Sequence, residues 1–183
     1  MKKNLTLFFF VILVLTFLSE IFIRFFFPQD LQRYWVFYEP THGLSINKKN
    51  YTHKLHRFKS HKATYTFGRY HNRETIRNFD IFNKKKILVL GDSFTFGWLI
   101  DDKNTLIHKF QKENLDYHFI NVAVGAWGSA HYTLFTELFC KQIKPEKIII
   151  ILNTDDFHRG YRSGFYKKKN NELVRIKKEF KNI

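Results

Sequence analysis

Between residues 84 and 156 the chain alternates between short runs of large apolar residues and stretches with helical spacing. No other feature of the sequence limits the fold as much. Lys86-Ile87-Leu88-Val89-Leu90 is an apolar run stopped by Gly91, which predicts a buried strand with a sharp exit. Asp101 to Asn104 offer N-cap residues for a helix reaching about Asn114, with Leu106, Ile107 and Phe110 on one face. Tyr117 to Val124 predicts a second strand. Ser129 then caps a second predicted helix, in which Leu134, Phe135, Leu138 and Phe139 recur at helical spacing before Pro145. Lys147 to Leu152, with four consecutive isoleucines, predicts a third buried strand. This β-α-β-α-β order with short connections calls for a parallel sheet with right-handed crossovers.

Such sheets bind ligands at the carboxyl ends of their strands, near a switch in strand order. Three polar or glycine-rich segments fall at those ends: Gly91-Asp92-Ser93, Gly125-Ala126-Trp127-Gly128-Ser129 and Asn153-Thr154-Asp155-Asp156. Ser93 follows a strand, a glycine and an aspartate. There it sits near the start of a helix or turn, whose free backbone N–H groups can stabilise an oxyanion. Acyl transfer needs that combination of a hydroxyl nucleophile and preorganised donors. The segment is not the elbow of α/β-hydrolases, because Thr95 stands where the second glycine belongs. It is not a phosphate loop either, since its glycines are too far apart and Trp98 replaces the lysine. The plainest alternative is a strand-to-turn junction in which Asp92 caps a helix. Trp127 reads as a packing residue.

The N-terminus carries a different signal. Asn4 to Ile23 is apolar enough, and at about 20 residues long enough, to cross a hydrocarbon core. No small-residue cleavage site follows, so residues 1–27 are expected to form an uncleaved signal anchor. Lys2 and Lys3 are opposed by Arg24 and Arg33, so charge does not set the orientation. Residues 28–80 read as a lead-in of loops and short strands, with Thr64-Tyr65-Thr66-Phe67 as one of them. Residues 81–183 hold the α/β domain. Leu173 to Ile176, after Asn170-Asn171, is half of a candidate hairpin.

The net charge of +15, from 31 Lys and Arg against 16 Asp and Glu, is spread along the chain. No zinc-finger spacing or RNA-binding motif accompanies it, so nucleic acid is not an expected partner. The lone Cys140 excludes an internal disulfide and falls on the apolar side of a predicted helix. His53 and His56 lack a third ligand motif and read as surface residues.

Ile87-Leu-Val-Leu-Gly-Asp-Ser-Phe-Thr-Phe-Gly97 resembles the first signature block of the SGNH (GDSL-type) hydrolases, in the form found among bacterial membrane-anchored members. Asn121-Val-Ala-Val-Gly-Ala-Trp-Gly128 is similar to the second block, and Ile148-Ile-Ile-Ile-Leu-Asn-Thr-Asp-Asp-Phe157 to the third. Asn72-Arg-Glu-Thr-Ile-Arg77 looks like the segment before the first strand, so the resemblance spans roughly residues 40–175. It implies a flavodoxin-like three-layer α/β sandwich with a parallel sheet, here incomplete. Ser93 would be the nucleophile, and its N–H and that of Gly125, or else Gly128, would form the oxyanion hole. Asp92 is the neighbour of the nucleophile in that block. Asp155 falls on the position of an amide donor, with Asn153 as the alternative, and an ionised carboxylate cannot donate.

The family's last block, D-x-x-H, supplies the base well beyond the third block. Only 26 residues follow Phe157, so the base is expected to be missing. Asp155-Asp156-Phe157-His158 spells D-x-x-H but lies inside the third block, which leaves His158 a weak candidate. The implied function is hydrolysis or transfer of an acyl group on an oxygen ester. The expected substrate is an acylated saccharide, handled at the membrane outside the cytoplasm, with no metal or organic cofactor. The alternative is a catalytically inactive protein that binds a saccharide or a protein partner. A basic nucleic-acid or anionic-lipid binder ranks below both.

Overall fold

The computed structural model describes residues 2–27, 34–58, 61–74 and 84–176. The chain divides into two units, Met1–Gln32 and Arg33–Ile183.

The first unit is a helix, α1, over Lys2–Phe26. Asn4–Phe26 is long and apolar enough to cross a membrane, and its side chains lie exposed. At about 1.5 Å per residue these 23 residues span about 35 Å. Several of its polar side chains bond within the helix. Thr16 Oγ1 donates to the Ile12 carbonyl at 2.9 Å, and Arg24 Nε donates to Glu20 at 2.8 Å.

The second unit begins with two antiparallel hairpins, β1 (Val36–Glu39) with β2 (Leu44–Asn47) and β3 (Tyr51–Phe58) with β4 (His61–Phe67). The predicted strand at Thr64–Phe67 is the end of β4. The side chains of His53 and His56 lie outside the described residues. The α/β portion follows: β5 (Lys85–Leu90), α2 (Ser93–Phe96), a 3-10 turn (Asp102–Asn104), α3 (Leu106–Glu113) and β6 (Tyr117–Asn121). It continues with α4 (Ser129–Ile143), β7 (Lys147–Ile150) and α5 (Asp155–Ser163). A hairpin of β8 (Tyr166–Lys169) and β9 (Glu172–Arg175) comes last, turning through Asn170 and Asn171 with φ of 50° and 64°. Asn tolerates that left-handed conformation better than most residues.

The three strands of the parallel sheet run in the order β6-β5-β7. Alternation along β5 explains the layers. Leu88 and Leu90 join Ile120, Leu134, Phe135 and Ile143 in one core, whereas Ile87 and Val89 join Ile107 and Phe119 in another. Helix α4 therefore covers one face and α3 the other. The chain is mixed α/β with a parallel sheet, as the β-α-β-α-β pattern requires.

Some expectations need adjustment. Thr105, not Asp101 to Asn104, caps α3, its side chain accepting from His108 N at 3.2 Å. Gly128 is the cap of α4 and Ser129 its first residue. The expectation that the third strand is buried fails: Ile148, Ile149 and Ile150 are 46%, 39% and 48% exposed. Among the described residues β7 pairs only with β5, so its other edge is open.

The described part of the lead-in holds the strands β1 to β4, and its Trp35, Leu44, Ile46 and Tyr65 are buried in the core. Trp127 Nε1 donates to the Ser45 carbonyl at 2.8 Å, and Asn47 Nδ2 donates to the carbonyls of His71 and Ala123, each at 3.1 Å.

Candidate active site

The carboxyl end of β5 is shaped by space rather than by an unusual φ. A Cβ on Gly91 would lie 2.1 Å from Thr95 Oγ1, so only glycine lets α2 turn back over the strand. Asp92 caps α2 by accepting from Phe94 N at 2.9 Å. The helix closes at Gly97, whose φ of 78° is the left-handed conformation glycine adopts without strain. Ser93 is therefore the first residue of α2, and it is partly exposed. Both the resemblance-based role of Asp92 as neighbour and the plainer reading of it as a helix cap describe the same side chain.

Ser93 and Gly125 line one cavity, together with Trp35, Val36, Phe96 and Trp98. Gly125 lies in the loop after β6, and Ala126 beside it has a left-handed φ of 71°. A non-glycine residue there stores local strain. Val124 N donates to the Gly91 carbonyl at 3.3 Å, which ties the two loops together. Among the described residues neither the Ser93 N–H, the Gly125 N–H nor the Ser93 hydroxyl meets a protein hydrogen-bond partner.

Gly128 lies apart from that cavity. It forms a close contact between α4 and α5, where an added Cβ would come within 2.3 Å of the Asp156 carbonyl. Its N–H donates to His131 Nδ1 at 3.2 Å. Burial, with Arg159 adding to it, pushes the His131 pKa down to about 4. The neutral ring accepts at Nδ1 and so carries its proton on Nε2.

The third loop falls on a second cavity, lined by Asp92, Phe94, Thr95, Ile151, Leu152, Asn153 and Thr154. Asn153 thus faces the same cleft as Asp92. Its N–H donates to Asp156 at 2.8 Å, while its side-chain oxygen accepts from Thr154 Oγ1 at 3.2 Å. Asp155 is 72% exposed on α5 and pairs loosely with Arg159 at 3.6 Å. His158 is exposed on the same helix, and among the described residues no hydrogen bond joins it to Ser93 or Asp155.

Two arginines organise these loops, and the sequence had given neither of them a role. Arg159 donates to Asp92 at 2.9 Å and to Asp156 at 3.3 Å, joining the loops after β5 and β7. Asp156 is fully buried and also accepts from the Tyr132 hydroxyl at 2.8 Å. Burial, followed by that hydrogen bond, pushes the Tyr132 hydroxyl well above the ordinary tyrosine range. The visible signal was the i,i+3 and i,i+4 spacing of Asp156 and Asp155 from Arg159.

Arg73, 1% exposed, donates to the carbonyls of Phe96 and Gly97 at 2.7 Å each, to Ile100, and to Asp102 at 2.8 Å. Its guanidinium lies 4.4 Å from the Tyr65 ring and 4.9 Å from that of Phe96. It holds the chain that leaves Ser93 in one conformation. No sequence period could show this, because its partners around the loop after Ser93 lie 23 to 29 residues away.

Among the described residues no group of three His, Cys, Asp or Glu side chains is placed to hold a metal ion. The arrangement offers a hydroxyl and two unpartnered N–H groups on one cavity, with a carboxylate–arginine network behind them. Comparison with known proteins finds no family model, no curated protein and no solved structure that matches the chain.

Proposed function

We infer that this chain is a membrane-anchored serine ester hydrolase or O-acyl transferase of the SGNH kind, acting on oxygen esters such as those of acylated saccharides outside the cytoplasm. One observation carries the reading: the Ser93 hydroxyl shares a cavity with Gly125, and the N–H groups of both residues lack protein acceptors among the described residues. An oxyanion hole needs donors held ready and unspent. The strand order β6-β5-β7 supports the placement, because the connections leaving β5 and β6 diverge there and Ser93 follows the central strand.

In this reading the Ser93 oxygen attacks the ester carbonyl, and the two N–H groups hold the negative charge that develops. Asn153, on the cleft shared with Asp92, is the better placed of the two third-loop residues, since Asp155 points its charge into solvent. Arg159 and Asp92 set the position of the loop rather than meeting the substrate.

A specific observation favours a second reading, that of a binding protein without turnover. Among the described residues no side chain accepts the Ser93 proton. A serine without a base is weakly nucleophilic, and what catalysis remains comes from binding and the oxyanion hole.

The experiment is covalent labelling of the detergent-solubilised full chain with a fluorophosphonate, the modified residue being located by mass spectrometry. Labelling at Ser93 that Ser93→Ala abolishes supports the nucleophile. Absence of any Ser93 adduct, with the chain folded, favours the binding protein.

A further inference from the structure

A cavity of about 650 Å³ opens between the β1–β2 hairpin and α4, and it shares no lining residue with the cavity of Ser93. That volume falls within the roughly 300–1,000 Å³ of small-molecule sites. Its walls are apolar, with Phe37 and Ile46 supplied by the hairpin and Leu138 and Phe139 by α4. Its polar groups are few. His71 lines it from the loop after β4, and Lys48 and Lys49 from the turn between β2 and β3.

His71 is 5% exposed, and the fully buried Asn47 grips it twice. The His71 Nδ1 donates to the Asn47 carbonyl, and the His71 carbonyl accepts from Asn47 Nδ2 at 3.1 Å. Phe37 and Phe139 pack on the ring, with centroids 5.7 Å and 5.5 Å away. The backbone has φ of 61°, a conformation that a non-glycine residue keeps only when its surroundings enforce it. A carbonyl can only accept, so Nδ1 carries the proton of the neutral ring and Nε2 keeps a lone pair. Burial, with the Lys49 charge adding to it, pushes the His71 pKa down and so favours that neutral ring. Among the described residues Nε2 has no donor and is not sealed from solvent, so in a side chain otherwise buried it faces the cavity. An acceptor held this way calls for a donor on the occupant.

The charges at the rim are unbalanced. Glu39 is already committed, since its carboxylate accepts from the Thr41 and His42 N–H groups at 3.0 Å and 2.8 Å and from His42 Nδ1 at 2.8 Å. Lys48 sits over the rings of Tyr34 and Tyr51, at 4.0 Å and 4.9 Å, which positions its ammonium without neutralising it. Lys49 is exposed, and among the described residues it meets no carboxylate. Aromatic walls pack well on another ring. We propose that this cavity binds a small organic anion of the hydroxyaryl carboxylate class. The hydroxyl donates to His71 Nε2, the aromatic body lies among Phe37, Ile46 and Phe139, and the carboxylate meets Lys48 and Lys49. The site stands whether or not Ser93 is a nucleophile.

The test is equilibrium dialysis of the detergent-solubilised full chain with hydroxynaphthoate, against a protein-free micelle blank. Two companion probes are run beside it: the naphthoate with methyl in place of the hydroxyl, and the hydroxynaphthamide, which has no charge. Saturable binding of hydroxynaphthoate is expected, about tenfold weaker for the methyl probe, which leaves Nε2 buried without a donor. Lys49→Gln is expected to weaken the carboxylate by about threefold and to leave the amide unchanged. His71→Asn, which tolerates the left-handed backbone, is expected to bind the hydroxyl and methyl probes alike. Near-UV circular dichroism checks the folding of each variant, and the two probes on the unaltered chain decide the matter even where a variant fails to fold. Failure of every probe to bind the folded chain would overturn the site. Equal affinity of the unaltered chain for the hydroxyl and methyl probes would overturn the His71 contact and with it the ligand class. Binding that Ser93→Ala abolishes would place the probe in the Ser93 cavity and overturn the proposal.

Discussion

Arg73→Met removes the guanidinium while keeping a side chain of similar reach. Thr64, Phe96, Gly97 and Ile100 lose the donor to their carbonyls, and Asp102 loses its ion-pair partner. A buried acceptor left unsatisfied costs about 1–3 kcal/mol, and breaking a buried ion pair costs about 3–5 kcal/mol. These terms overlap, because the loop relaxes and water reaches Asp102, 24% exposed. The expected loss is about 4 kcal/mol, a large part of a typical 5–15 kcal/mol total. Arg73→Lys keeps the charge near Asp102 but offers three donors in place of five, so its expected loss is about 2 kcal/mol. Urea unfolding of the solubilised chain, followed by tryptophan fluorescence, reads both, since Trp35 stacks on Phe96 inside this cluster. Fluorophosphonate labelling of Ser93 should fall in the same order. A loss below about 1 kcal/mol for Arg73→Met would refute the view that this guanidinium holds the loop.

Acid should weaken the domain. Burial pushes His118 and His131 down to about 4 from an ordinary value near 6.5, so between those pH values the unfolded chain binds more protons. Stability is therefore complete above about pH 6.5 and falls by up to about 3 kcal/mol per histidine toward pH 4, seen as a shrinking urea midpoint. A flat profile over that window would show that the rings are not buried as neutral groups. The apolar length of α1 predicts that the chain stays with membranes after carbonate washing, and its release as the full-length chain would remove the anchor reading. Ile150→Lys, on the exposed β7, should change stability by less than about 0.5 kcal/mol while reducing self-association in sedimentation. A loss above about 2 kcal/mol would mean that the strand is covered.

The apolar runs made the sheet legible because strand period and strand order are local properties of sequence. Ser93, Gly125 and Asn153 stand out as candidates for the same reason: each lies just past a strand end. The burial of β7 was misjudged because an apolar run reports what a strand can bury, not whether a neighbour is there to bury it. Arg73 escaped notice since a buried arginine looks like a surface one until its carbonyl partners are assembled. The aromatics of the lead-in follow no helical period, so their places cannot be read from the sequence, yet Trp35 walls the cavity that Ser93 lines and Tyr65 packs edge-on against Trp35.

The bond from Trp127 to the Ser45 carbonyl joins residues 82 positions apart. At a synthesis rate of about 5–20 residues per second, Ser45 waits about 4–16 s before Trp127 exists. For most of that interval, until Phe96 and Ala123 follow, the rings of Trp35, Tyr65 and Phe67 lack their α/β partners, and the β3–β4 hairpin alone is too small to be stable in water. The aromatic strands made first are thus the last to be sheltered, and the nascent chain is most prone to sticking before its sheet has been made.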